Sequence, residues 1–464
     1  MKSLPMNKKI SFLGLGTYTV LLILSIVFFK ERAAFVDIAF HIFYIIKDND
    51  FAIQNHRFIA FFTQLFPLFS SKMGFGLSNI MKLYSSSFIV LNIIIFAFLS
   101  YILRLWKFAL ILILMNTVMV SHTFYWIQSE LQQGLSLLIL YFSLAYYQSH
   151  SECTDFQKYS IFSFLQVLLF ALVFSHPMLL FPFAFITFYF MMSESKQYLF
   201  WGSGLISYAL MYGIKLLFFK TAYDSSTSLS GITNLKNSLP HFFDLPSNKL
   251  FVQYCIHDYH FLILFFLLVC GFYLYRKSLI RLSLVVMFFM GYIILINASY
   301  PNGADQFYIE NLYLPLSIFV LFPLVFEVLD FVNPKYLVPM ICILLLLRIS
   351  NIYASHEIYT NRIATLEEII ENNALQSDKK IITAETKPLI DKLLMTWGTP
   401  YEIWLLSTLK TGQGASIVIS DNVKELEWVL PYNKKFVTKW GVFDYSELPR
   451  QYFIFNDTTY YHIK

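Results

Sequence analysis

Apolar residues in this chain come in long blocks rather than at the spacing of a half-buried surface helix. Blocks lie near 11–29, 83–103, 108–126, 131–147, 159–175, 178–192, 199–219, 260–275, 281–298, 313–329 and 336–349. Most have the roughly 17–25 apolar residues that a bilayer crossing requires. About eleven transmembrane helices are predicted. Two longer gaps, 30–82 and 220–259, read as loops. Within the first, 57-RFIAFFTQLFPLF-69 is too short and interrupted to cross, which predicts a helix lying in the membrane interface with Arg57 at its start. The stretch 231-GITNLKNSLPHFFDL-245 reads the same way. Beyond 349 the pattern changes. Ile358–Ala374 is helix-like, and Lys380–Ala384, Ser416–Ser420 and Tyr452–Phe455 read as short strands.

Composition agrees with this division. The chain is 57% hydrophobic and 14% charged, where a soluble domain carries about 25% charge. From Glu357 onward 26 residues in 108 are charged, about 24%, against 37 in the first 356, about 10%. The expected plan is an α-helical polytopic membrane domain over 1–349 and a small soluble α/β or α+β domain over 350–464. A net charge of +5 needs no nucleic-acid partner; basic residues accumulate in membrane proteins through topology. The four cysteines form no zinc spacing or disulfide framework. Lys30-Glu31-Arg32 ends the first block without a small-residue cleavage site, so that block is expected to stay as an uncleaved helix.

Short basic loops at Arg104/Lys107, Lys158, Lys196, Arg276/Lys277/Arg281 and Lys335 fall on one side of the predicted bundle. The positive-inside rule makes that side cytoplasmic. An odd helix number then puts the tail outside, in the periplasm if the membrane is a bacterial inner membrane. Asp37, His41, Asp48, Asp50, His56, Arg57, Glu130, Asp305 and Glu310 gather on the outer side, with His122 and His176 near helix ends. Acids and histidines at membrane depth are expensive and often functional.

Five groups carry chemistry. In 35-FVDIAFHIFYII-46 a helix puts Asp37 and His41 on one face among aromatic residues. A carboxylate so surrounded has a raised pKa and suits proton abstraction; equally, Asp37 fits as a solvated residue at a helix start. Asp48 and Asp50 form an Asp-x-Asp pair, a weak divalent-cation site and otherwise an ordinary turn. His56 and Arg57 precede the interfacial run, where a guanidinium matches phosphate oxygens of a lipid. Glu130 stands where one span ends and the next begins, and the 299–315 turn offers Asp305 and Glu310. No serine-hydrolase elbow, phosphate-binding loop or zinc-protease helix occurs. Span interiors hold few charges, Lys215 being the main exception, which argues against a pump.

This arrangement resembles the GT-C class of integral-membrane glycosyltransferases: many spans, a long first outer loop with an acid soon after the first span, interfacial helices there, and a soluble C-terminal domain on the same side. Asp37, eight residues past Phe29, takes the place of the catalytic acid, followed by Asp48/Asp50, His56 and Arg57. Where the dolichyl-phosphate-mannose protein mannosyltransferases have an Asp-Glu pair, this chain has Asp37-Ile38. The resemblance implies transfer of a sugar from a polyprenyl-phosphate carrier to a lipid or glycan acceptor. Asp37 would be the base, and Arg57 with His56 would meet the leaving phosphate. His41, Glu130, Asp305 and Glu310 would contribute to substrate binding. A polysaccharide polymerase or ligase, and a non-catalytic flippase of lipid-linked glycans, are the alternatives from other classes.

Overall fold

The computed structural model describes residues 6–127, 130–375, 380–455 and 459–463. The chain opens with α1 (Met6–Val27), α2 (Phe29–Ala33) and α3 (Val36–Asp48), then α4 (Phe61–Lys72) and α5 (Leu77–Ala97). The bundle continues through α6 (Trp106–Met115), α7 (Glu130–His150), α8 (Asp155–Val173), α9 (Leu180–Ser193) and α10 (Tyr198–Phe218). Next come α11 (Ala222–Ser238), α12 (Pro246–His257), α13 (His260–Tyr275) and α14 (Leu279–Ser299). It closes with α15 (Gln306–Tyr313), α16 (Pro315–Pro323) and α17 (Pro334–Ala354). Local signals set several starts. Thr154 and Gln157 form a reciprocal capping box at α8, and Asn333 caps α17 ahead of Pro334.

Every predicted block overlaps a helix, yet eleven independent crossings do not follow. Among the described residues, six helical stretches are long and apolar enough to cross a membrane: Met6–Val27, Leu77–Ile102, Asp155–Val173, Leu279–Ser299, Gln306–Phe331 and the first part of Pro334–Asn373. The sharply bent pairs α10/α11 and α12/α13 raise the number to eight. The block 108–126 is corrected most clearly, because α6 ends at Met115 after ten residues, about 15 Å or half a hydrocarbon core. Asn116 and Thr117 turn their side chains back onto the carbonyls of Leu112 and Ile113. The chain then runs on without regular helix to Ile127, deeply buried. Irregular backbone at membrane depth survives only where protein satisfies it.

The first long loop folds as expected in part. In α4, Phe62, Leu65 and Phe69 lie exposed along one side while Gln64 and Leu68 are buried, the amphipathic arrangement of an interfacial helix. The C-terminal region adds α18 (His356–Leu375), β1 (Lys380–Ala384), α19 (Lys387–Leu393), α20 (Thr399–Thr411) and β2 (Ser416–Ser420). A hairpin, β3 (Lys435–Thr438) with β4 (Gly441–Asp444), and a short β5 (His462–Ile463) complete it. β1 pairs in parallel with β2 and β5. The predicted strand Tyr452–Phe455 is absent: the backbone N–H groups of Tyr452 and Phe453 both turn back to the Pro449 carbonyl. The β3–β4 hairpin went unread because Lys439 and Trp440 make an atypical turn.

This region is not independent of the first loop. Phe43 of α3 packs against Tyr401, Trp404, Phe436, Phe443 and Phe453 in one core. A Glu402 Oε1 accepts a 2.6 Å bond from the backbone N–H of Val36, so a tail carboxylate caps α3 where the helix dipole favours negative charge. Its other oxygen pairs with Arg362 at 2.6 Å, with 0% and 1% of the two side chains exposed. Gly398 is required here, since a Cβ would stand 2.6 Å from the Val36 Cα. Because they share a core, α3 and the tail lie on one side of any membrane the bundle crosses. The number of crossings between them is therefore even. Of the six spans defined by length, five lie between them, and with both bent pairs seven do. Either count is odd, whereas counting one of the two bent pairs as a crossing makes it even.

Polar contacts divide the bundle into two ends. At the end away from α3, Lys107 bonds Asp330 at 2.8 Å, Arg281 pairs with Glu327 at 2.6 Å, and the Trp201 indole donates to Glu194 at 3.0 Å. These belong to the loops that sequence assigned to one side. The α3 end collects the others.

Candidate active site

Five elements meet at the α3 end of the bundle. Asp37 lies in the first turn of α3, partly buried, and its Oδ2 accepts a 3.1 Å bond from the indole N–H of Trp126. Arg57 follows a tight turn in which Asn55 and His56 adopt left-handed backbone angles. Its guanidinium donates to Glu130 Oε2 at 3.2 Å and faces Asp224 Oδ1 at 3.6 Å. The same group lies 5.6 Å above the Tyr223 ring. Arg57 is 18% exposed and Glu130 14%, so the pair is sheltered without being sealed.

Burial pushes the Asp37 carboxyl up from its ordinary value to about 6. The Trp126 bond pulls it down, the Glu130 charge pushes it up, and the Arg57 charge pulls it down. Burial also lowers Arg57, but Glu130, Tyr223 and Asp224 more than offset this and hold it above its ordinary value. His176, in the turn after α8, is forced down to about 3 by burial and then by Arg57 and Lys215. It is a neutral ring whose Nδ1 accepts from the Met178 N–H. Trp126 packs on Phe307 and Tyr308, and the Tyr308 hydroxyl meets that of Tyr300 at 2.9 Å. An ionisable carboxylate, a guanidinium between two acids and an aromatic wall are thus assembled from α3, the 54–57 turn, α7, α11 and the irregular 116–127 segment.

That last segment is fixed by buried charge. Glu310 accepts from the backbone N–H groups of Ser121, His122 and Thr123 at 2.8, 3.3 and 2.8 Å, and from the hydroxyls of Thr123 and Tyr259 at 2.7 and 3.0 Å. Arg348 serves the opposite polarity, donating to the carbonyls of Thr117 and Val120 at 3.0 and 3.1 Å and to Ser121 Oγ at 2.8 Å. Arg32 donates to the Phe124 carbonyl and to Ser85, with its guanidinium 4.1 Å over the Phe124 ring. The three side chains hold the backbone that presents Trp126 to Asp37.

Sequence expectations are met unevenly. Asp37, Arg57 and Glu130 come together. Glu310 does not join them as a substrate-binding group: it is fully buried and surrounded by donors from its own chain, which makes it a clamp. His41 shares the face of α3 with Asp37, but it is buried with Nδ1 3.2 Å from the Tyr84 hydroxyl, in the packing between α3 and α5. His56 is exposed and turns its ring toward Phe219, 5.8 Å away between centroids. Asp305 is exposed at the start of α15. Asp48 pairs with its neighbour Lys47, and Asp50 accepts from the next backbone N–H. No group of three or more metal-ligating side chains occurs among the described residues, so the Asp48/Asp50 pair gains no further ligand.

Trp126, Tyr223 and Arg348 were not singled out from sequence, while Asp224 was read only as one of the acids of the outer loops. For Arg348 a signal existed, an arginine closing an apolar block. Trp126 had none, since its role depends on where the chain leaves helix. Comparisons with protein-family models, with curated proteins and with solved structures return no match.

Proposed function

We propose that this chain is a membrane-embedded glycosyltransferase of the GT-C kind, moving a sugar from a polyprenyl-phosphate carrier to an acceptor at the extracytoplasmic face. The observation that carries this reading is Asp37. Its carboxylate, with a pKa of about 6, sits in the first turn of α3, soon after the first span and within electrostatic reach of Arg57, at the end of an apolar bundle. Such a group is ionised near neutral pH yet more basic than an ordinary carboxylate, the combination a general base needs.

In the proposed step Asp37 takes the proton of the acceptor hydroxyl as its oxygen attacks the anomeric carbon. The bond from that carbon to the phosphate oxygen breaks, and the polyprenyl phosphate leaves with the electron pair. Arg57 stands within electrostatic reach of Asp37. A guanidinium has five N–H donors, so one bound by Glu130 and facing Asp224 retains donors for a phosphate oxygen. An odd total number of crossings satisfies the even count between α3 and the tail that the shared core demands.

The test is transfer of radiolabelled sugar from polyprenyl-phosphate donors by the purified full chain. Arg57→Ala should weaken binding of the phosphate-bearing carrier by about 1.5–3 kcal/mol, the scale of a charged hydrogen bond. Binding of the free polyprenol should hardly respond. Equal losses for both ligands would remove the phosphate role of Arg57, and no transfer across a panel of donors would remove the reading.

A further inference from the structure

At the end of the bundle away from Asp37, a cavity of about 460 Å³ opens between the α13–α14 turn and the segment 326–331. Its wall carries Tyr273, Arg276, Ser278 and Arg281 from one side and Glu327 and Asp330 from the other. Three apolar stretches end at its mouth: α13 at Tyr275, α14 at Leu279 and the Gln306–Phe331 span at Phe331. Tyr275, Leu279, Ile280 and Phe331 are all exposed around it. Such a collar is tolerable beside acyl chains and costly in water.

The charges inside are already partly spent. Arg281 is held by Glu327 at 2.6 Å, and Glu327 also accepts from the Tyr273 hydroxyl at 2.9 Å. Asp330 is held by Lys107 at 2.8 Å but leaves half its side chain exposed. Arg276 differs. Its guanidinium lies 5.1 Å over the Phe331 ring, and no carboxylate pairs with it among the described residues. The cavity therefore offers an unclaimed guanidinium for a phosphodiester and, opposite, a carboxylate with free lone pairs for an ammonium.

We propose that this cavity binds the headgroup of a zwitterionic glycerophospholipid with a primary ammonium, such as phosphatidylethanolamine. The phosphate lies on Arg276, the ammonium faces Asp330, and the acyl chains run along the exposed apolar collar. This site is independent of the sugar-transfer reading, because it lies at the other end of the bundle and uses none of the same residues. Phosphatidylglycerol has the same phosphate for Arg276 but offers Asp330 no ammonium.

The full chain, delipidated in detergent and offered equimolar phosphatidylethanolamine and phosphatidylglycerol, can be read by native mass spectrometry. The wild type should retain the ethanolamine lipid at least fivefold over the glycerol lipid. Arg276→Ala should lower that retention about tenfold, with Arg276→Lys in between. Asp330→Asn should abolish the preference while leaving glycerol-lipid retention equal or higher. Chainless glycerophosphoethanolamine at the same concentration should not displace the lipid. Equal retention of both lipids by the wild type, or no response to Arg276→Ala, would overturn the proposal. Displacement by the chainless headgroup would do the same, since the site would then recognise a soluble phosphate ester.

Discussion

Asp37 and Glu310 are carboxylates at the same end of the same bundle, and their surroundings could hardly differ more. Glu310 is fully buried and receives three backbone N–H groups and two hydroxyls. Asp37 keeps partial exposure and one indole donor. A carboxylate whose lone pairs are all claimed is a strut. One that is desolvated but lightly bonded has a raised proton affinity and a free oxygen. Residue type and depth alone do not separate the two; the donor supply does.

The largest expected effect tests the reactive member. Asp37→Asn keeps the shape and removes proton acceptance, so turnover should fall about 10²–10⁴-fold. Thermal unfolding in detergent should show no loss of stability. An acid raised by burial disfavours the folded state as pH climbs from the ordinary carboxylate range through about 6, and Asn has no such penalty. Near-normal transfer by this variant would move the base elsewhere, with Glu130 next in line.

Glu310→Ala addresses the strut. Three backbone donors would lose their acceptor in a buried place, a destabilisation of about 3 kcal/mol or more. The expected readout is a lowered unfolding midpoint together with a poor yield of folded protein. A Glu310→Ala protein as stable as the wild type but inactive would reverse the two assignments.

Trp126→Phe sharpens the boundary between them, because Trp126 belongs to the strut-held segment and touches the reactive acid. Losing the indole donor raises the Asp37 pKa further, so the acidic limb of activity against pH should move up from about 6, by about one unit. Glu130→Gln should move the limb the other way and by less. It removes a negative neighbour and leaves Arg57 less neutralised beside Asp37. A limb unmoved by either variant would mean that Asp37 is not the group being titrated.

How much of this could be read beforehand follows from the range of each interaction. Apolar blocks locate helices because hydropathy is local, and Asp37 stood out because it interrupts an aromatic helix near a span end. Arg57 and Glu130 were recognised separately, but their pairing joins positions 73 residues apart. The irregular 116–127 segment was read as part of a span because seven apolar residues surround Asn116, Thr117, Ser121, His122 and Thr123, and what holds it out of helix comes from Glu310 and Arg348, more than 180 residues later. The tail was read as a separate domain because its composition is soluble, whereas its core holds α3.

That borrowed helix sets an order of events during synthesis. The residues of α3 emerge early, with Ile38, Ile42, Phe43 and Ile46 all destined for burial, yet much of their cover comes from Tyr401, Trp404 and Phe436. Most of the chain must be threaded and inserted before the first loop can close on its partners. Until then an apolar helix waits uncovered beside the membrane, dependent on the lipid interface or a holding factor. A ribosome that stalls before the tail leaves behind a bundle whose α3, and Asp37 with it, lacks the residues that cover it, so the proposed site is completed last.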